Sequence, residues 1–266
     1  MKTTSSGDVP RALVSGVCML CLDAGNVVIF FDHARVARLA NAAGERVTAA
    51  RLVETEGEFK RGMETGDVVD VDWSDKRAPG AAGWGRYVVT MLARAGTPID
   101  LVGPLLDKLW IDHKELNLWS VVPVGFNDAM AKIRALGVKV VLVSNSEGML
   151  AELFAELGIL GSFDLLLDSG KIGIEKPDPR IFQIGLERFR TRADEALHLG
   201  DTYATDVLGA RAAGLRTALV DPHGHYAGEH LDVPRVAGVV EVAEAIAESE
   251  EGRQDAKAPR EKHRKK

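Results

Sequence analysis

Residues 14–27 read VSGVCMLCLDAGNV, and this stretch decides the fold class. The run from Val14 to Leu22 is predominantly apolar, which is typical of a β-strand buried on both faces of a parallel sheet. The run ends at Asp23, so a carboxylate stands at the tip of the predicted strand. Gly25 follows two positions later. The end of this strand is therefore the first place to look for chemistry.

After residue 120, strand and helix patterns alternate through short loops, which predicts a doubly wound (Rossmann-like) α/β fold with a parallel sheet. The strands are predicted at 138–143, 163–167, 196–199 and 217–220, and the helices at 126–136, 147–157, 178–190, 205–213 and 239–248. An earlier helix is predicted from Asp32 to Ala43. Residues 46–119 contain helical patterns instead of strand runs, which indicates a mostly helical segment inserted after the first strand unit.

The predicted organisation therefore has four parts. It consists of a disordered N-terminus (1–12), an α/β core (13–45 and 120–248), a helical insert (46–119) and a charged disordered tail (249–266).

The composition is typical of a soluble globular protein, and we expect a cytoplasmic one. The net charge is −6, although residues 257–266 hold six Lys/Arg against one Glu, which is typical of a solvated tail. A nucleic-acid-binding arm is the less favoured interpretation, and no nucleic-acid partner is expected. Cys18 and Cys21 resemble a redox pair, but within a strand they point to opposite faces, so we interpret both as small core residues. No stretch is long and apolar enough to predict a membrane span.

Three polar residues follow the last apolar residue of predicted strands: Asp23, Ser144 and Asp201. Because ligands bind beyond the carboxyl ends of the strands in such sheets, we expect all three side chains at one edge. A carboxylate there can attack a phosphate ester, and Mg²⁺ held by Asp23 and Asp201 would offset the repulsion between the two anions. The pattern thus predicts Mg²⁺-assisted phosphoryl transfer.

Further residues complete the predicted site. The carbonyl of Gly25 and the carboxylate of Asp206 are candidate metal ligands. Alternatively, Asp206 does not contact the metal and instead orients the residues that do. Lys176 can neutralise charge on the nucleophile and on the phosphoryl oxygens. Ser144 and Asn145 stand before a predicted helix, where hydroxyl and backbone N–H groups can bind phosphate.

Four segments of the chain resemble the haloacid dehalogenase-like (HAD) superfamily of hydrolases. They are Cys21-Leu-Asp-Ala-Gly-Asn-Val27, Val141-Leu-Val-Ser-Asn145, Glu175-Lys-Pro-Asp-Pro-Arg-Ile-Phe182, and the stretch from His198 to Gly214. The resemblance covers residues 13–45 and 120–248, and the insert occupies the position of the family's helical type 1 cap. It implies that the substrate is a small phosphorylated metabolite.

The resemblance also implies roles for individual residues. It makes Asp23 the nucleophile, Ser144 the phosphate-binding residue and Lys176 the charge-neutralising lysine. Asp201 becomes a metal ligand, and Asp206 a ligand or its close neighbour.

The first motif departs from the family's usual Asp-x-Asp-Gly-Thr, because the second Asp, the general acid/base, is Gly25 here. This resembles a subgroup with Asp-x-Gly-Asn-Val that includes sugar-phosphate phosphatases. Because this acid is absent, we expect the enzyme to favour substrates with good leaving groups, such as sugar 1-phosphates.

Three alternatives remain open at this point. They are a metal-free dehalogenase, a phosphonate hydrolase that uses Lys60 as a Schiff-base lysine, and a non-catalytic binding or regulatory protein with the same fold. Five cap residues could contact a substrate, but helix packing or a solvated charge accounts for each more simply, so none is included in the predicted site: Arg61, Trp84, Arg86, Tyr87 and His113.

Overall fold

The structure is a computed structural model that describes residues 9–70, 72–73 and 81–257, with the backbone alone for 252–257. The predictions for residues 1–8 and 258–266 lie outside the described residues.

Six parallel strands form the central sheet, in the order β5-β4-β1-β6-β7-β8. Their bounds are Met19–Leu22 (β1), Lys139–Ser144 (β4), Leu165–Asp168 (β5), Ala196–Gly200 (β6), Arg216–Val220 (β7) and Arg235–Val236 (β8). Helices cover both faces, namely Arg11–Val14 (α1), Phe126–Ala135 (α6), Leu150–Glu156 (α7), Ser169–Ile172 (α8), Arg180–Phe189 (α9), Leu208–Ala212 (α10) and Val239–Lys257 (α11). The predicted α/β fold with a parallel sheet is confirmed.

Strand β1 is the centre of this core because its side chains alternate between two apolar layers. Leu20 and Leu22 join the cluster beneath α6 and α11, whereas Met19 and Cys21 join the cluster beneath α9. β1 pairs with β4 on one side and β6 on the other, with Leu20 opposite both Val140 and Leu197. The three strands that carry the predicted site residues are thus direct neighbours.

The prediction of a strand from Val14 was wrong for its first half. Helix α1 occupies part of the run, and the chain turns at Gly16 with a φ of 69° before β1 begins at Met19. Val14 is buried from the helix, so its hydrophobicity carried no information about a strand. The turn also leaves Cys18 outside the strand and exposed, which corrects its interpretation as a core residue; Cys21 is buried as expected.

The cap is built from four helices: His33–Ala42 (α2), Ala49–Thr65 (α3), Ala81–Arg94 (α4) and Ile99–Glu115 (α5). α2 was predicted within the core segment 13–45, but its buried residues Val36, Ala37 and Ala40 belong to the cap's own apolar cluster. An amphipathic pattern shows that a helix has a buried face but not which partner covers it.

The chain crosses between core and cap twice, through an antiparallel ribbon of Phe30–Phe31 (β2) and Trp119–Val121 (β3). The backbone N–H of Asp32 donates to the carbonyl of Leu118 at 2.8 Å beside this ribbon. The two connections therefore lie side by side.

Two further differences concern irregular segments. The predicted helix 205–213 begins as a π-helical turn at Tyr203–Val207 before α10. Helix α11 continues to Lys257, into the segment predicted as a disordered tail. Within the described part of the chain, none of the helices has the length and apolar character that crossing a bilayer requires.

Candidate functional site

The carboxyl ends of β4, β1 and β6 line one cavity of about 620 Å³, and residues of the cap line its other side. Asp23 follows β1, Ser144 ends β4 and Asp201 follows β6, and all three line this cavity. Gly25, Asn145, Lys176 and Asp206 also line it. The structure therefore brings together every residue that the sequence predicts for the site.

Lys176 joins two of the acids. Its Nζ donates to Asp23 Oδ1 at 2.5 Å and to Asp206 Oδ1 at 2.6 Å. All three side chains are nearly inaccessible to water, so these ion pairs act in a medium of low dielectric constant. The lysine holds Asp23 beside the other acids in spite of their mutual repulsion.

Asn145 positions the loop that carries Lys176. Its Nδ2 donates to the Lys176 carbonyl at 2.9 Å, and its Oδ1 accepts from the Lys176 backbone N–H at 2.8 Å. Both ends of the amide are thus engaged with one residue. The Asn145 side chain thus holds the lysine, while phosphate binding by the backbone N–H groups that follow Ser144 stays a prediction.

The carboxylates of Asp23, Asp201 and Asp206 each place an oxygen within 4.8 Å of the others. Within the described part of the chain, these acids and Glu56 face the buried ammonium groups of Lys60 and Lys176, as the contacts below show. When all four carboxylates are ionised, they outnumber the two ammonium groups, and a divalent cation would balance the excess negative charge. Oxygen ligands suit Mg²⁺, so the donor set fits this ion.

Burial and charge set the protonation of the site. Burial raises the pKa of Asp23 to about 7, with Asp206 and Asp201 acting in the same direction against Lys176. Burial also opposes ionisation of Asp206, but Lys176 and His198 hold its pKa below the usual range. A cation bound beside these acids would favour the ionised form of Asp23 and so lower its pKa.

Asp206 is fixed by the turn in which it lies. The Thr202 backbone N–H donates to its Oδ2 at 3.0 Å, and His198 Nε2 lies 3.1 Å from its Oδ1. A Cβ added to Gly200 would lie 2.2 Å from both Cβ and Cγ of Asp206. Glycine at position 200 is therefore required for this carboxylate to enter the cluster.

The cap contributes a charged pair that sequence reasoning did not include in the site. On α3, Lys60 Nζ lies 2.8 Å from Asp201 Oδ2 and 3.6 Å from Glu56 Oε1. Glu56 also accepts from Asn26 Nδ2 at 2.5 Å and contacts His33 Nε2 at 2.9 Å. Although burial opposes it, Lys60 and His33 lower the pKa of Glu56 to about 2. These contacts join the cap to the core directly at the acids.

Rings on the cap side form the opposite wall of the cavity. Three residues that the sequence analysis left as packing residues line it, namely Trp84, Tyr87 and His113, whereas Arg61 and Arg86 lie outside the lining. Phe59 and Trp119 line it as well. Their sequence signal was the helical spacing of aromatic residues, which is the same for a core and for a binding wall.

A family model described as haloacid dehalogenase-like hydrolase matches residues 21–214. A relative named haloacid dehalogenase-like hydrolase domain-containing protein 3, from Mus musculus, is 33% identical over 138 residues, which cover 52% of this chain and 55% of the relative. A phosphoserine phosphatase from Thermus thermophilus is 39% identical over 93 residues, 35% of this chain and 37% of that protein. The chain thus aligns with about half or less of the length of these relatives.

Among solved structures, the magnesium-bound HAD-hydrolase YfnB from Bacillus subtilis is similar, with a TM-score of 0.61. The match covers 86% of this chain and 98% of that one at 18% identity. At this identity the likeness concerns the fold.

Proposed function

The chain belongs to the haloacid dehalogenase-like hydrolase family, and from this premise we propose that it is a Mg²⁺-dependent phosphatase. It hydrolyses a small phosphate monoester through an aspartyl-phosphate intermediate on Asp23. The observation that carries the proposal is the contact of Lys176 with both Asp23 and Asp206 at the end of the central strands.

Asp23 acts as the nucleophile: one of its carboxylate oxygens attacks phosphorus, and the ester oxygen leaves with its electron pair. Lys176 lies against Asp23 and neutralises charge that would otherwise repel the phosphate dianion. Ser144, at the end of β4, donates a hydrogen bond to the phosphoryl oxygens. Water then attacks phosphorus and regenerates the carboxylate of Asp23.

Asp23 and Asp201 would hold the metal, with the Gly25 carbonyl and Asp206 as further ligands. The buried acid cluster and its excess of negative charge support this assignment. When bound, Mg²⁺ supplies positive charge that brings the phosphate dianion and the Asp23 carboxylate together.

The proposal includes membership of the subgroup with Asp-x-Gly-Asn-Val, which the first motif supports, and a helical type 1 cap formed by the insert. Gly25 supplies no acid for the leaving oxygen, so substrates with good leaving groups are favoured, with sugar 1-phosphates as one class. That a relative is named phosphoserine phosphatase supports phosphate monoesters as the general substrate class.

The contacts of Lys60 weigh against a phosphonate hydrolase. Schiff-base formation needs a free neutral amine, whereas the Lys60 ammonium pairs with Asp201 and Glu56. A metal-free dehalogenase does not require three clustered acids, and a binding protein does not require the Lys176 ion pairs. The proposed phosphatase reaction requires both.

The test is the release of p-nitrophenol from p-nitrophenyl phosphate with and without Mg²⁺. Turnover is expected in the native protein with Mg²⁺, and none with Asp23→Asn. Asp194→Asn, which changes an exposed acid paired with Arg192, is the matched control and should behave as the native protein. Equal background release from all three proteins would refute the phosphatase.

A further inference from the structure

The cavity has two unlike halves. The core half carries the acids, Lys176 and Ser144, where the phosphate binds in the proposed function. The cap half is mainly apolar, and its lining consists largely of Phe59, Met63, Trp84, Tyr87 and Trp119. A volume of about 620 Å³ lies in the range of small-molecule sites. The group attached to the phosphate is therefore the one that meets the apolar half.

Three rings of this half form a layer in which neighbouring rings are inclined to each other, by 76° between Phe59 and Tyr87 and by 45° between Tyr87 and Trp119. The ring centroids of Phe59 and Tyr87 are 4.9 Å apart, and those of Tyr87 and Trp119 are 5.0 Å apart. Trp119 Nε1 lies 3.5 Å from the position that a Cβ on Gly25 would take, two residues beyond Asp23. The layer thus starts directly beside the loop of the nucleophile.

Several polar groups among these rings are engaged within the protein. Lys60 pairs with Asp201, Asn117 Oδ1 accepts from the Trp119 backbone N–H at 2.8 Å, and His113 Nδ1 accepts from the Leu118 backbone N–H at 3.1 Å. Trp84 Nε1 and Tyr87 Oη are the exceptions, since they are buried without a hydrogen-bond partner. A leaving group with several hydroxyls would lose water here and find fewer partners than it has hydroxyls. A planar apolar group loses little water and gains ring contacts.

Gly25 points to the same kind of leaving group for an independent reason. Without an acid at this position, the ester oxygen leaves as an anion. A phenol has a pKa of about 10, as tyrosine does, whereas alcohols resemble water at about 15.7. An aryl oxide therefore leaves without being protonated, and an alkoxide does not.

We propose that the substrates are aryl phosphates, whose aromatic group packs against the layer formed by Phe59, Tyr87 and Trp119. This narrows the proposed phosphatase activity and rests on it. The Asp23 carboxylate attacks phosphorus and the P–O bond to the aryl group breaks, its electron pair leaving on the aryl oxide. Water then cleaves the aspartyl phosphate; one of its protons stays on the phosphate and the other reaches the aryl oxide through the solvent.

The test compares kcat/KM for phenyl, benzyl and cyclohexyl phosphate and for glucose 1-phosphate. The kcat/KM for phenyl phosphate should exceed that for cyclohexyl phosphate at least 100-fold, since phenoxide leaves readily without an acid and the cyclohexyl alkoxide does not. Phe59→Leu and Trp119→Leu should each raise KM for phenyl and benzyl phosphate about two- to twelvefold, the range expected for loss of one ring contact. Phe189→Leu makes the same change to a half-buried ring on α9 outside the cavity and should have no effect.

Acetyl phosphate separates this inference from the proposed function, because it needs neither an acid nor a stacking wall. If acetyl phosphate is hydrolysed with Mg²⁺ and Asp23→Asn abolishes this activity, the protein is a phosphatase. If it then hydrolyses cyclohexyl phosphate or glucose 1-phosphate as fast as phenyl phosphate or faster, the aryl preference is overturned and the proposed phosphatase activity is not. Unchanged KM values for phenyl phosphate in Phe59→Leu would also overturn it, even if Trp119→Leu failed to fold. No hydrolysis of any of these compounds would overturn both.

Discussion

Gly25→Asp is expected to add the acid that the first motif lacks. Gly25 is not among the glycines with positive φ, and a Cβ at this position would meet only Trp119, at 3.5 and 3.7 Å, which is ordinary van der Waals contact. An aspartate therefore fits without backbone strain. Its carboxyl group would lie between the loop of Asp23 and the cap, on the side from which a leaving group departs.

General acid help is worth about 10² to 10⁴ in rate, which corresponds to roughly 3 to 5 kcal/mol of activation free energy. The full gain is expected for cyclohexyl phosphate, whose alkoxide leaves poorly. Little gain is expected for p-nitrophenyl phosphate. The variant should therefore change the ratio of the two kcat/KM values rather than raise both, and steady-state kinetics at saturating Mg²⁺ measures this.

Gly25→Asn is the matched control, because it has the shape of aspartate but no transferable proton. Gly25→Ala tests the added Cβ alone. If Gly25→Asp keeps the native melting temperature and yet hydrolyses cyclohexyl phosphate no faster than Gly25→Asn, the absence of an acid at this position does not limit the enzyme.

Three further predictions concern the metal site and the cap. Lys60→Met should tighten Mg²⁺ binding, measured by calorimetry, about tenfold, because the Lys60 ammonium 2.8 Å from Asp201 competes with the ion. Lys60→Arg keeps the positive charge and should leave the affinity unchanged. Weaker Mg²⁺ binding in Lys60→Met would contradict this reasoning. Burial, with Arg35 nearby, lowers the pKa of His113 to about 4, so the unfolded imidazole takes up its proton first as the pH falls. The free energy of unfolding should then fall by about 2–3 kcal/mol between pH 6.5 and 4, and urea titrations should show less of this fall in His113→Gln. Gly200→Ala should cost about 1–3 kcal/mol and weaken Mg²⁺ binding, because its methyl group would displace the carboxylate of Asp206; native stability and affinity would refute the clash.

The placement of Asp23, Ser144 and Asp201 at one sheet edge could be predicted from the sequence. Apolar runs identify buried parallel strands, and residues that follow such strands share an edge whatever their separation along the chain. The same rule was insensitive to the start of β1. A buried residue of a short helix and a buried residue of a strand are equally hydrophobic, so the apolar run did not distinguish the two and Val14 was misassigned.

The contribution of the cap could not be predicted in this way. Glu56 and Lys60 are four residues apart on a helix, a spacing that usually marks an ion pair facing solvent. Nothing local shows that α3 turns this pair towards Asp201 instead. Asn145 is a related case, because its role depends on a lysine 31 residues away that only the folded chain brings within reach.

The adjacent connections at Asp32 and Leu118 bear on how enzymes of this architecture diversify. The cap holds its own apolar cluster, and its two ends are joined by a hydrogen bond of 2.8 Å, so the whole insert can be exchanged at a single junction. A recombination event there would replace the rings of the cavity wall together with Glu56 and Lys60, and would keep the strand ends that carry the three aspartates. Selection for a new substrate can therefore act on one contiguous gene segment, with Asp23, Asp201 and Lys176 inherited unchanged.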